Sequence, residues 1–205
     1  MNQFNSAWNF YFNNWQYFAV LAAPVFAVEI ATAYLLLPLE NISPENIAEY
    51  FGDNIFSIGI LSAVGTVLSV GFLGSLYLSF NAKSSSSELE PVTALLSGVY
   101  KFFPLFGAYV LCIIAVFCGL LLLILPGIYL GARLALFPAF IMLEGKGVID
   151  SLKLSWEETD EHGGTLFGLT IFFILLTTII SGIFSSLLDQ GIIQLLILGI
   201  VEYVI

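Results

Sequence analysis

The sequence predicts an all-α integral membrane protein, and three observations carry that prediction. Hydrophobic residues make up 59% of the 205 and charged residues only 10%, against about 25% charged in soluble domains. Mean hydropathy is +1.00. Several apolar runs reach the roughly 18 residues that cross a ~30 Å hydrocarbon layer as a helix. A membrane β-barrel would instead show short alternating strands and frequent turns, and the sequence has no such pattern.

Taken in order, the first element is an interfacial helix over residues 4–15. Phe4, Trp8, Tyr11, Phe12 and Trp15 recur at helical spacing with Asn and Gln between them, a pattern suited to the membrane boundary. The polar, uncharged start lacks the basic segment of a cleavable signal, so the N-terminus is expected to stay. The first span is read at about 18–39, with Pro24 and Glu29 inside it. An acidic loop follows, in which Ser43, Pro44 and Glu45 have the form of a helix start: a cap, a first-turn proline and a carboxylate at the positive end. The second span is expected at 55–80, with Gly59, Ser62, Ala63, Thr66 and Ser69 making a small-residue face.

Residues 81–91 read as a linker, and Ser87 with Glu90 resembles a capping box that opens a short helix from Pro91 to Phe103. The third span is placed at 104–125. Pro126 and Gly127 are expected to turn the chain into a fourth span at 128–143. From Gly145 to His162 the pattern is amphipathic, with Val148, Leu152, Leu154 and Trp156 set against Asp150, Lys153, Glu157 and Glu158; Gly163 and Gly164 stop it. Spans five and six fall at 165–188 and 191–205.

In hydropathy, an interfacial helix, a span, a turn and a span recur three times. This predicts one polytopic domain over 1–205 with six transmembrane helices, three interfacial amphipathic helices and a tandem helix-plus-hairpin pseudo-repeat, without a residue-level repeat. Lys83, Lys101, Lys146 and Lys153 then share the side of both termini, while the loops on the other side hold no Lys or Arg. That asymmetry predicts cytoplasmic termini.

The candidate functional residues sit in and around the fourth span. Arg133 lies among apolar residues, and a charge at mid-span costs about 2.5–3.5 kcal/mol on insertion scales, so it calls for a partner. Glu29, near the middle of the first span, is the expected partner, in a structural ion pair. Two other readings stay open: an anionic lipid or substrate group held by Arg133, and snorkelling to the interface. Gly127, Gly131, Ala135 and Ala139 form a stripe for close packing. Arg133 is about 200° from Gly131 and shares a face with Tyr129, Phe137 and Phe140. Glu29, Arg133 and Tyr129 are therefore the candidate ion-pair or ligand site.

Other polar features have simpler readings. Thr170, Thr177, Ser181 and Ser185 line one face of the fifth span towards Asp189, and such hydroxyls ordinarily bond their own helix backbone. The acidic group Glu157, Glu158, Asp160, Glu161 and His162 reads as a solvated helix end. Cys112 and Cys118 do not share a helix face and read as small packing residues. Five Lys and Arg residues in total exclude a nucleic-acid surface. No hydrolase, nucleotide-binding or metal-ligand motif occurs, so no cofactor, metal or catalytic residue is expected.

The run PGIYLGARLALFPAFIMLEGKGVIDSLKLSW resembles the YciC-type family of uncharacterised bacterial inner-membrane proteins. It is also similar to the membrane domain attached to some glycerophosphodiester phosphodiesterases. Pro126, Gly127, Arg133, Pro138, Glu144, Gly147, Ser151, Ser155 and Trp156 carry the match, and PVTALLSGVYKFFPLF fits the same layout. The resemblance implies a six-span protein of the bacterial inner membrane and no established reaction. Related sequences continue after the Ser-Trp with basic residues, where this chain has EETDEH. The phosphodiesterase link transfers no catalysis, because that enzyme's catalytic barrel is a separate domain. The expected role is that of a non-enzymatic multi-pass protein in envelope or lipid homeostasis. The alternatives are a small transporter or lipid-handling protein with a polar cavity at Arg133 and Glu29, and an assembly partner for other membrane proteins. The expected partners are the bilayer, an anionic lipid headgroup and other membrane proteins.

Overall fold

Helices end where the backbone loses a donor or meets a polar run, and the computed structural model, which describes residues 2–85 and 87–187, contains nine α-helices and no strand among those residues. The aromatic N-terminal stretch forms α1 (Asn2–Asn13). At Asn14 the chain turns into α2 (Trp15–Leu36), the Asn14 side-chain amide donating back to the Phe10 carbonyl at 2.9 Å. The polar loop contains two short 3-10 turns, Leu37–Glu40 and Pro44–Asn46. The predicted helix start at Ser43 is present: Pro44–Asn46 runs directly into the next helix with Glu45 in its first turn, although Ser43 makes no side-chain capping bond.

Helix α3 (Ile47–Ser84) is longer than the expected 55–80 at both ends, since from Ile47 onward the acidic loop offers no breaker stronger than Gly52. The capping box also fails. Ser87 turns back to α3, its amide and hydroxyl both donating to the Ala82 carbonyl at 2.9 and 3.1 Å, while α4 (Pro91–Tyr100) starts on Pro91 itself. Proline suits that position because a first-turn N–H has no intrahelical acceptor.

The turn expected at Pro126 and Gly127 occurs three residues earlier. Leu123 alone is extended, between α5 (Phe102–Leu122) and α6 (Ile124–Leu134), and Pro126 is absorbed into the first turn of α6. The fourth span is interrupted before α7 (Phe137–Leu143), because Pro138 supplies no N–H and its ring opposes the Leu134 carbonyl. Gly145, with φ at +67°, ends α7, and the Lys146 amide returns to the Phe140 carbonyl at 3.1 Å. Helices α8 (Val148–Glu158) and α9 (Gly163–Leu187) complete the described chain.

Among the described residues, five segments are long and apolar enough to cross a membrane: Trp15–Leu39, Pro44–Ser84, Phe102–Leu122, Ile124–Leu143 and Gly163–Leu187. The sixth expected span, 191–205, lies outside the described residues.

The core sits at one end of these helices. Every buried residue of α3 lies between Gly71 and Ala82, so the packing face is displaced from the predicted Gly59–Ser69 stripe, most of which is exposed. Helix α4 lies against this part of α3, where a Cβ on Gly98 would run into the Gly71 backbone carbonyl. Phe18, Leu21, Val25, Phe72, Ala94 and Leu95 form one cluster there. Leu105, Ala108, Phe137, Ile141 and Met142 form a second, joined by Val148 and Leu152 of α8. The remaining lengths of α3, α5 and α9 present exposed apolar side chains, as lipid-facing surface does.

Candidate functional site

The break between α6 and α7 leaves main-chain groups without helical partners, and α8 supplies them. Its Ser151 and Ser155 and the Thr159 that caps it recur every fourth residue, so they lie on one face, and all three are buried. The Ser155 hydroxyl donates to the Arg133 carbonyl at 2.9 Å and accepts from the Leu136 amide at 3.1 Å. The Thr159 oxygen lies 3.0 Å from the same Arg133 carbonyl. Backbone groups that would cost roughly 1–3 kcal/mol if buried unpaired are thereby satisfied.

This seam holds Arg133, which is 2% exposed. Its Nε donates to the Thr159 hydroxyl at 2.9 Å, and one terminal nitrogen donates to the Tyr129 hydroxyl at 2.9 Å. The other donates to the Trp156 carbonyl and to Asp160 Oδ1, the latter at 2.8 Å. The guanidinium lies 4.1 Å from the centre of the Trp156 ring, a cation–π contact. Tyr129 is held in turn by edge-on contacts to Trp156 and Phe167. Helix α9 closes the node: a Cβ on Gly163 would come within 2.8 Å of the Tyr129 hydroxyl and 2.9 Å of Arg133 Cδ. A side chain at this position would have to displace the Tyr129 hydroxyl or the Arg133 stem.

The structure therefore brings Arg133 and Tyr129 together, as expected, but the carboxylate at Arg133 is Asp160 and not Glu29. Glu29 is on α2, which packs against α3 and α4, whereas α6 packs against α5, α8 and α9. The expected pairing is corrected for a topological reason: the amphipathic segment folds back along α6 and reaches Arg133 first. The polar cavity imagined around Arg133 and Glu29 is likewise replaced by a sealed guanidinium. Phe137, predicted to share the Arg133 face, is carried away by the helix break and packs edge-on against Tyr109 in the second core cluster.

Sequence reasoning missed Asp160, Thr159, Ser155 and Gly163 as members of the site. Their signal was present in the four-residue spacing of Ser151, Ser155 and Thr159 ahead of a glycine. Asp160 does resemble the solvated acid that was expected, with its side chain 77% exposed although bonded to Arg133. Lys153 reaches Glu157 at 3.7 Å, and among the described residues no group of His, Cys, Asp and Glu is placed to hold a metal ion.

Along α9, Thr177 and Thr178 bond the Phe173 and Ile174 carbonyls of their own helix, each at 2.6 Å. Thr170 and Thr177 border an open, largely apolar groove of about 380 Å³ between α6 and α9. Asp189, towards which the hydroxyl face was expected to point, lies outside the described residues. Neither Cys112 nor Cys118 is in a disulfide.

Comparison with known proteins adds a family. The model of a family described as a domain of unknown function, DUF7847, matches residues 46–197. A UPF0259 membrane protein of Photorhabdus laumondii subsp. laumondii is 34% identical over 96 residues, which make up 47% of this chain and 36% of that relative. The matched region thus covers about a third of the relative's length. No solved structure matches the chain.

Proposed function

This chain belongs to the DUF7847 family and is a multi-pass helical membrane protein, and on that premise we propose that it is a non-enzymatic component of the bacterial inner membrane, acting in envelope or lipid homeostasis. The observation that carries the reading is the use made of Arg133. Four of its N–H donors are spent on Tyr129, Thr159, Trp156 and Asp160, inside a seam that joins α6, α8 and the start of α9. A guanidinium engaged in this way is a clamp between helices, with little capacity left for a substrate anion.

The finer topology belongs to the same proposal: six apolar segments, a tandem order of short helix and hairpin, and both termini in the cytoplasm. Its support is the placement of cations. Lys83 lies over the Tyr17 ring at 4.5 Å, and Lys101 donates to the Ile141 carbonyl at 2.7 Å. Lys83 thus borders the first core cluster and Lys101 the second. Excess positive charge on one side favours its retention in the cytoplasm.

The test compares bacteria lacking a relative of this chain with the same cells producing it, wild type or carrying Arg133→Met with Asp160→Leu. Lipid profile and resistance to detergent are measured. The reading expects an effect of the wild type on one or both, retained by the folded double variant. No effect of the wild type would remove the envelope role. A folded double variant without effect would make Arg133 part of a ligand site.

A further inference from the structure

We propose that the α5–α6 hairpin enters the membrane from the side of α8, turns near the bilayer midplane and returns, so that its tip is solvated by the acyl chains of one leaflet and does not cross. The proposal concerns depth alone and holds whatever the role of the protein.

Its geometry follows from the register of the two helices. A Cβ on Gly119 would meet the Gly127 Cα at 2.8 Å, and one on Gly131 would meet Val116 at 3.5 Å. Both pairings centre the turn on Leu123, the one extended residue between the helices. Arg133 is ten positions beyond it, roughly 15 Å at 1.5 Å per residue, about half the ~30 Å hydrocarbon thickness.

The level of Arg133 is the level of water. Asp160, bonded to its guanidinium, is 77% exposed, and Glu157, Glu158, Glu161 and His162 beside it are exposed as well. A hairpin long enough to push its tip through the far surface would draw this acidic cluster to mid-membrane, where exposed carboxylates have no compensation.

Two neighbouring elements that meet the hairpin at this level are long enough to cross. Helix α9 starts at the same level, with Gly163 against Tyr129 and Arg133, and then runs as an apolar helix for 25 residues, enough to cross. Helix α3 touches this level near Tyr77, whose hydroxyl donates to the Ala135 carbonyl at 2.8 Å, and its 38 residues are likewise enough to cross.

The two connections differ in chemistry. The α2–α3 connection contains Asn41, Ser43, Glu45 and Asn46, as a loop in water does. Between Lys101 and Arg133 the sequence has no charged residue, His, Asn, Gln, Ser or Thr, and Leu121 to Leu125 at the tip are 60–78% exposed. A turn in hydrocarbon must also limit its unbonded backbone groups. The Leu123 amide donates to the Gly119 carbonyl at 3.0 Å, and Pro126 removes one of the orphan donors at the start of α6.

Single cysteines placed in a Cys112→Ala, Cys118→Ala chain test the depth, with the protein reconstituted in phosphatidylethanolamine–phosphatidylglycerol vesicles. Asn41→Cys and Ser85→Cys should react with a membrane-impermeant maleimide from opposite sides, and Leu123→Cys from neither. A nitroxide on Leu123→Cys should collide frequently with oxygen and rarely with a water-soluble nickel chelate, as a mid-bilayer position does. Leu125→Cys repeats the measurement if Leu123→Cys fails to fold. Reaction of the tip from the Asn41 side would show that the hairpin crosses and overturn the proposal. Reaction from the Ser85 side would overturn it too, by placing the tip outside the membrane. Shielding from both oxygen and nickel would mean that protein, and not lipid, covers the tip, with the same result.

Discussion

Arg133 is sealed from solvent while its carboxylate partner is not, and that imbalance governs how the two should respond to substitution. An ion pair with one exposed member contributes about 1 kcal/mol or less. Asp160→Asn is therefore expected to cost under about 1 kcal/mol. Arg133→Met removes the donors of Tyr129, Thr159 and the Trp156 carbonyl together with the cation–π contact, and should cost about 2 kcal/mol or more. Unfolding of both variants in the same detergent micelles measures the difference; equal large losses would mean that Asp160 is shielded in the membrane. Gly163 and Gly164 provide a second contrast. Gly163→Ala sets a methyl against Tyr129 and Arg133 and should lower Tm by roughly 2–6 °C, whereas nothing lies within 4 Å of a Cβ on Gly164. Gly164→Ala should leave Tm unchanged or raise it, since alanine is favoured over glycine in a helix by about 1 kcal/mol.

The interruption between α6 and α7 is stable because a third helix completes its hydrogen bonds. Ser155 and Ser151 stand one turn apart on the same buried face of α8, but only Ser155 reaches across. Ser155→Ala leaves the Leu136 amide without its acceptor and is expected to cost about 1–3 kcal/mol. Ser151 donates to the Val148 carbonyl of its own helix at 2.8 Å, so Ser151→Ala should cost less than about 1 kcal/mol. Thermal unfolding of the pair checks this, and equal losses would show that hydroxyl bonding at the break is irrelevant. A comparable contact joins α4 to α3, where the backbones meet at Gly98 and Gly71. Close approach of this kind needs small residues on both helices, and Gly98→Ala should loosen it.

Viewed as a molecule, the protein has its well-packed core at the end that carries the lysines, and apolar helices extend from it. Reporter fusions follow from that arrangement: a fusion after residue 85 should be cytoplasmic and one at residue 47 on the opposite side. Finding both on one side would sink the span count through α2 and α3. The α5–α6 hairpin does not alter this expectation, because a hairpin that crosses and one that turns back inside the membrane return the chain to the same face. Trp8 and Trp15, both exposed, lie at the ends of the aromatic face of α1 and the start of α2. Depth-dependent quenching should place them at the boundary and not in the acyl region.

Composition and hydropathy were sufficient for the class of the protein, its helical content and the approximate limits of its apolar segments. Helix formation in lipid is a local requirement: every backbone group must be bonded within its own segment, so a run such as Phe102–Leu122 has no other choice of structure. The existence of the short helices before α2, α5 and α9 was legible for a similar reason, since the aromatic spacing of residues 4–15 and the Pro91 start are local signals. The partner of Arg133 was not. Glu29 and Asp160 are both carboxylates at plausible positions along the chain, and the choice between them depends on where α8 lies once Pro138 has broken the fourth span. Nor could the depth proposed for the α5–α6 hairpin be read from its 31 uncharged residues, because it rests on a relation to neighbours: the exposed acids that α8 brings beside Arg133. Those relations are made by side-chain packing between distant segments, and a pattern of residues along one segment does not contain them.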